Sequence, residues 1–342
     1  MLELLSVVVP CYNEEEVILE THQRLSVELE RISAEFDIAY EIVYVNDGSR
    51  DATLRLLHDC HSNHGSQYPS GRGTVSVVSF ARNFGHQMAL SAGLQQAHGD
   101  AIAVMDADLQ DPPATIGDMV REWRAGSDVV YGVRSSREGE SRFKLVTAAA
   151  FYRLMRTMAG VELPADAGDF RLMSRRAVDV FNAMPERHRF VRGMIPWLGF
   201  RQSPVYYARA ARLRGTTKYP LRRMIKLAFD AVTSFSTVPL KITFALGIVL
   251  ALTAIGYLGW VLFERLYLGT PVRGWSSLMA VVLVLGAVQL VSIGVLGEYV
   301  GRIFEEVKRR PLYIVDERAS RIAALPPAKI ESSGDMRSGH QP

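Results

Sequence analysis

Along the first 210 residues, short apolar runs rich in β-branched side chains alternate with longer stretches of helical periodicity. The runs at 5–9, 41–46, 74–80, 101–106 and 129–133 predict strands, and the stretches 15–34, 52–61, 87–97 and 113–125 predict the helices between them. Ser6-Val-Val-Val-Pro10 and Ile102-Ala-Val-Met105 are apolar almost continuously, not at alternate positions. Strands of that kind are buried on both faces, as in a parallel sheet covered by helices. The alternation therefore predicts an α/β domain over residues 1–210.

The pattern then changes. Residues 240–263 are nearly all apolar, with Lys241 near the start, and 275–297 form a second such run without a formal charge. Each reaches the ~20 residues needed to cross a bilayer core, and such lengths without charge are unusual in soluble domains. Trp260, Tyr267, Trp275 and Tyr299 stand near the ends, where interfacial aromatics belong. The predicted order is an α/β domain (1–210), a juxtamembrane segment (211–239), two transmembrane helices with a short external loop (240–297), a C-terminal segment with a short strand (298–318) and a disordered tail (319–342). The juxtamembrane segment reads either as amphipathic helices on the membrane surface or as an ordinary surface helix before a linker. Arg310-Pro-Leu-Tyr-Ile-Val-Asp316 is strand-like and must pair, with its own domain or with a neighbour's.

Charge placement adds orientation. The net charge of the 342 residues is only +3, which gives no general pull on nucleic acid. Basic residues gather instead at Arg209, Arg212, Arg214, Lys218, Arg222, Arg223 and Lys226, and at Lys308, Arg309 and Arg310. The connection 264–274 carries only Arg265 and Arg273. The positive-inside rule then puts both termini and the α/β domain in the cytoplasm, on a multi-pass protein of the cell's cytoplasmic membrane. Two cysteines, Cys11 and Cys60, give neither a disulfide framework nor a tetrahedral metal site. His58, His61 and His64 read as a polar helix end.

Chemistry enters at the strand ends. Asp106-Ala-Asp108-Leu-Gln110-Asp111-Pro112-Pro113 follows an apolar strand, and ligands of open α/β sheets bind at the carboxyl ends of strands. In extended backbone, residues two apart point the same way, so Asp106, Asp108 and Gln110 converge on one hard cation, Mg²⁺ or Mn²⁺. Asn46-Asp47-Gly48-Ser49-Arg50-Asp51 ends the second strand on the same edge, where Asp47 is placed to accept from a base N–H or a ribose hydroxyl. Arg134, Arg137, Arg142 and Lys144 flank a Ser- and Gly-rich stretch that reads either as an acceptor loop or as a solvated one.

Four motifs in this order carry a specific resemblance: Val9-Pro10-Cys11-Tyr12-Asn13-Glu14, Asp47-Gly48-Ser49-Arg50-Asp51, Ala81-Arg82-Asn83-Phe84-Gly85-His86 and the acidic run from Asp106 to Pro113. Together they resemble family 2 glycosyltransferases of the GT-A fold, a Rossmann-like, mostly parallel sheet. The two C-terminal spans make the chain similar to the polyprenyl-phosphate glycosyltransferases, among them dolichol-phosphate mannose synthase and the bacterial bactoprenol glucosyltransferases. The resemblance implies a UDP-sugar donor, a polyprenyl phosphate acceptor, a bilayer partner, an inverting mechanism and a divalent metal. It assigns Pro10, Tyr12, Glu14, Asp47, Arg82 and Asp106 to the nucleotide sugar, and Asp106, Asp108 and Gln110 to the metal. It places Asp169, Arg171, Arg212 and Lys218 at the reacting centre, with Asp169 as base, as sugar-hydroxyl contact, or simply as an ion-pair partner of Arg171 or a neighbour. Many relatives have Asp where this chain has Asn46, which leaves position 46 without a metal role. The resemblance also implies a homotetramer in which the C-terminal strand reaches an adjacent subunit. The sugar stays open, with glucose first and N-acetylglucosamine, galactose, mannose or an amino-arabinose as alternatives. A non-catalytic nucleotide-binding membrane subunit is the rival from another class. A processive synthase of the same fold is the closer rival, but its Gln-x-x-Arg-Trp segment is absent.

Overall fold

The computed structural model describes residues 3–68, 70–134, 167–187, 189–208, 236–263, 266–267 and 274–324. Arg212, Lys218 and most of the expected juxtamembrane segment lie outside them. The α/β domain contains β1 (Leu4–Cys11), α1 (Ile18–Phe36), β2 (Ala39–Asn46), α2 (Thr53–Gln67), β3 (Gly73–Ser79), α3 (His86–Gln96), β4 (Ala101–Val104) and α4 (Thr115–Arg124). It continues through β5 (Val129–Arg134), β6 (Ala167–Ser174), α5 (Arg175–Ala183), α6 (Val191–Trp197) and β7 (Gln202–Tyr207). Two long helices follow, α7 (Val238–Phe263) and α8 (Trp275–Lys308).

The strands form one sheet in the order β3-β2-β1-β4-β6-β5-β7. Only the β4–β6 and β5–β6 pairings are antiparallel. The central strands are buried on both faces, as their continuous apolar runs require: Val7, Val8 and Val9 are all fully buried. One core lies between the sheet and α1, α2 and α4, with Leu25, Leu29, Ile32, Leu57, Ile116 and Met119 against Val7, Val9 and Ile42. The second lies on the other face, where Leu90, Leu94, Val178 and Phe181 pack on Val8, Val43 and Val104. The α/β architecture and mostly parallel sheet expected from the pattern are therefore present.

Boundaries differ for local reasons. α1 starts at Ile18, not at 15, because Asn13–Glu15 are tied to the loop after β2: Ser49 Oγ accepts from Asn13 N at 3.0 Å, and Glu15 Oε2 accepts from Ala52 N at 2.8 Å. α2 runs on to Gln67, past the predicted end at 61. His64 is therefore not part of a polar helix end; it is buried against Tyr40, with Nε2 3.2 Å from the phenol oxygen. His61 Nδ1 lies 2.6 Å from the Val75 carbonyl and His58 Nε2 lies 2.8 Å from that of Ala319.

The C-terminal segment finds its partner within the chain. It runs antiparallel along the outer edge of β3, with Ala81 N donating to Ile314 O at 3.0 Å and Asp316 N to Ser79 O at 2.8 Å. Tyr313 stacks on Phe80, ring centroids 4.8 Å apart. The pairing extends into the predicted tail: Val77 and Arg321 exchange two backbone bonds, of 2.6 and 2.7 Å, and Ser76 Oγ accepts from Ala323 N at 3.1 Å. Disorder from 319 onward is thus corrected for 319–324, because the open edge of β3 offers those residues backbone partners.

Both C-terminal helices are long and apolar enough to cross a membrane, over Val238–Val261 and Val284–Lys308, with mean hydropathies of 2.1 and 1.6. α8 does not stop near 297. Its last turns reach the α/β domain, where Glu306 Oε1 accepts from Arg187 N at 2.8 Å. In its last third, Tyr299 Oη donates to the carbonyl of Ser236 at 2.5 Å, just before α7.

Candidate active site

The site forms where β1, β2 and β4 end side by side. Cys11 is in register with Asn46, and Val8 with Val104, so the loops that follow leave the same sheet edge. The acidic run is the clearest case. β4 ends at Val104, two residues before the predicted end, and Asp106–Gln110 is a turn with Leu109 at φ +54°. The extended-backbone argument for a shared face is therefore wrong in its premise. The sidedness survives nonetheless: Met105, Ala107 and Leu109 are buried in the core, whereas Asp106, Asp108 and Gln110 are partly exposed. Thr21 of α1 fixes the turn by donating to the Ala107 carbonyl at 2.6 Å, and Asp108 Oδ1 accepts from Gln110 N at 3.1 Å.

Asp106 faces a histidine and a second carboxylate. His86 opens α3, and its Nε2 lies 3.7 Å from Asp106 Oδ1 and 3.5 Å from Asp169 Oδ2. Asp169 stands on β6, which pairs with β4 and so carries it beside the acidic turn. Arg192, from α6, meets the Asp169 carboxylate at two points, Nη2 to Oδ2 at 3.2 Å and Nε to Oδ1 at 3.4 Å. Arg171 is buried behind them and donates to the carbonyls of Gly168 at 2.8 Å and Asp169 at 3.3 Å. These bonds hold the start of β6.

Electrostatics separates the two carboxylates. Burial and the neighbouring charges of Asp169, Asp111 and Asp108 push the Asp106 carboxyl up to about 6, with His86 opposing. Burial also works against ionisation of Asp169, but the His86 hydrogen bond and the charges of Arg192 and Arg171 hold its carboxyl well below the usual range. The imidazole of His86 is drawn up, against its burial, by the same two carboxylates. A carboxylate held that firmly ionised is a poor proton acceptor near neutral pH.

Asp47 is engaged within the protein at the end of β2. Its side chain is buried and accepts from Phe84 N at 2.6 Å, Gly85 N at 2.9 Å and Asn83 Nδ2 at 2.9 Å. It anchors the turn that delivers His86, although burial raises its carboxyl against the bonds from Phe84 and Gly85 and the charges of His86 and Arg82. Gly48 is required beside it. The backbone there is left-handed at φ +63°, and a Cβ would lie 2.4 Å from the Arg82 carbonyl carbon. Pro10 is buried in β1, Glu14 N donates to Thr53 Oγ1 at 2.8 Å, and Tyr12 presents an exposed ring at the rim. The Arg82 guanidinium stacks over Phe84, 3.9 Å from the ring centroid.

Asp106, Asp108 and Gln110 are thus brought to one loop, and Asp169 to its side. His86 and Arg192 were missed as site residues. His86 stood within a quoted motif, and Arg192, 23 residues after Asp169, carried no signal of spacing. Among the described residues no group of three or more His, Cys, Asp and Glu side chains is placed to hold a metal ion. A two-carboxylate and amide set remains, and the mutual repulsion around Asp106 suits a hard cation there.

Loops that leave the carboxyl edge of a mostly parallel sheet, with carboxylates at the central strand end, form the ligand-binding edge of an open α/β fold. The chain belongs to glycosyl transferase family 2, whose pattern it matches over residues 6–181, and it is a glycosyltransferase. Residues 238–303 match a second pattern, the GtrB C-terminal hairpin. It is 46% identical over 312 residues to the uncharacterized glycosyltransferase YkcC of Bacillus subtilis (strain 168), covering 91% of this chain and 93% of that one. It is 40% identical over 311 residues to the prophage bactoprenol glucosyl transferase homolog of Escherichia coli (strain K12), covering 91% and 98%. Among solved structures, glucosyl-3-phosphoglycerate synthase from Mycobacterium tuberculosis aligns at 20% identity with a TM-score of 0.42, over 68% of this chain and 78% of that one.

Proposed function

We propose that this glycosyltransferase moves a hexose from a UDP-sugar to a polyprenyl phosphate at the cytoplasmic face of a membrane, with inversion at the anomeric carbon. The observation that carries the reading is one row of side chains, Asp106–His86–Asp169–Arg192, on a chain that ends in two helices of membrane-spanning length. The bactoprenol relative named above supports a lipid acceptor and makes glucose the first sugar to try. The excess of Lys and Arg outside the two spans supports cytoplasmic termini.

A phosphate monoester has a second pKa near ~6, so the acceptor oxygen is already largely anionic and needs little help from a base. It attacks the anomeric carbon, a new C–O bond forms, and the bond to the nucleoside diphosphate breaks with its electron pair on the departing oxygen. An α-linked donor gives a β-linked lipid phosphate. The work left to the protein is to hold two anions in line and to balance the charge that develops. Asp106, Asp108 and Gln110 fit a Mg²⁺ or Mn²⁺ ion, which when bound supplies positive charge at the diphosphate. Tyr12, Pro10 and Glu14 border the nucleoside subsite, and Asp47 shapes that edge through the 83–85 turn, next to Arg82. Arg212 and Lys218 are proposed to close over the phosphates, and a homotetramer remains the proposed assembly on the resemblance alone.

Incubating the purified protein with undecaprenyl phosphate and a panel of radiolabelled UDP-sugars tests this reading. Label in the lipid fraction from one sugar, lost with chelator, is the expected result. Absence of lipid label from every sugar would refute it.

A further inference from the structure

Arg192 is the residue of the row with no assigned task. It contacts Asp169 through Nε and one terminal nitrogen, at 3.4 and 3.2 Å, a two-point pairing that fixes the plane of the guanidinium. The row has a direction. From Asp106 the contacts run to His86 at 3.7 Å, on to Asp169 at 3.5 Å and then to Arg192, so the acidic turn and Arg192 occupy opposite ends. Arg134, at the end of β5, and Arg171 both stand near enough for the Arg192 charge to act on theirs. The Arg192 side chain is one-third exposed, so this end is basic and reachable. A transfer between two phosphates needs them on either side of the sugar. With the donor diphosphate at the acidic turn, the other anion belongs at the opposite end.

We propose that Arg192 binds the phosphate of the acceptor lipid, and that Asp169 is its positioning residue and not a general base. The proposal rests on the transfer reaction given above. Asp169 aims the guanidinium, and His86 spaces it from the diphosphate end. A guanidinium held in one plane suits a phosphate that must present a single oxygen in line with the leaving group.

Steady-state kinetics of the full-length protein with undecaprenyl phosphate, and with the UDP-sugar that the wild type turns over, test this. Nucleotide affinity is measured separately without lipid. Arg192→Ala should raise KM for undecaprenyl phosphate about tenfold or more while nucleotide Kd stays within about twofold. Arg192→Lys keeps the charge but not the two-point grip, so it should show a smaller rise in the same constant. It also serves as the variant to read if the alanine protein does not fold. Asp169→Asn should raise the same KM, and adding it to Arg192→Ala should cost little more, because both changes remove one arrangement. An unchanged lipid KM in both Arg192 variants would overturn the proposal, as would an equal loss of nucleotide affinity. A further fall of about a hundredfold in kcat in the double variant would return Asp169 to the role of base. A wild type inactive with every lipid phosphate and sugar would reject the underlying reaction instead, and that result is read before any variant.

Discussion

Nε2 of His86 stands 3.5 Å from Oδ2 of Asp169. The same nitrogen lies 3.7 Å from Asp106, so one imidazole bridges two carboxylates that repel each other across the site. His86→Ala should therefore lower kcat/KM by about 10–100-fold, since both carboxylates lose their common neighbour and the row loses its spacing. Rates measured beside far-UV circular dichroism check this. Undiminished turnover would show that the contact is incidental.

Asp108→Asn should reduce turnover by ~10²–10³-fold or more while folding and membrane insertion persist. Asp108 is partly exposed at the turn, and the amide oxygen of Asn can still accept from Gln110 N as Asp108 Oδ1 does. Calorimetric titration of Mn²⁺ with UDP should show weakened metal binding in the same variant. Full activity of the variant in the presence of chelator would remove the metal from the proposal.

Asp47→Ala should act on stability first. Its buried carboxylate accepts three N–H bonds from the 83–85 turn, and leaving those donors unpaired costs on the order of 2–4 kcal/mol. Thermal unfolding of the detergent-solubilised protein reads this as a lower midpoint. A midpoint unchanged alongside a selective loss of nucleotide affinity would restore Asp47 to direct ligand contact.

These three cases show what was legible in the sequence and what was not. The sheet, its double-sided burial and the acidic strand end follow from local patterns, and the structure carries them. Asp47 was located at the strand end but its partners were not, because no pattern shows that the turn after β3 folds back onto its carboxylate. His86 and Arg192 acquire meaning only from β4–β6 pairing and the packing of α6, which are long-range contacts. The C-terminal strand was visible as a strand, yet its partner was not, because an open β3 edge in the same chain and one in a neighbour offer identical backbone groups.

Acid should destabilise the domain through His22. Burial, with His64 nearby, lowers its imidazole to about 4, whereas the unfolded value is ~6.5. The unfolded chain then binds the proton first, so the stability is complete above ~6.5 and is lost as pH falls toward 4, by up to ~1.4 kcal/mol per unit. His64 is lowered too, mainly by burial, and adds with the same sign. Unfolding midpoints at pH 7.5, 6 and 5 should fall in turn, and less steeply in His22→Gln. Equal slopes in the two proteins would contradict the assignment.

Truncation after Arg309 should destabilise the α/β domain itself. It removes the Tyr313–Phe80 stack and the backbone bonds of Ile314, Asp316 and Arg321 along β3, together on the order of 2–4 kcal/mol. Truncation after Ala324 should leave the unfolding midpoint unchanged. Equal midpoints in the two truncations would mean that the strand does not pair with its own domain.

The most direct measurement is the release of UDP on mixing the purified protein with Mn²⁺, UDP-glucose and undecaprenyl phosphate, followed as each component is withheld in turn. Release that needs all three, matches glucosyl lipid phosphate mole for mole and disappears in Asp108→Asn is the predicted result. UDP release at the same rate without the lipid phosphate, or lipid glycosylation that survives in Asp108→Asn, would contradict the account.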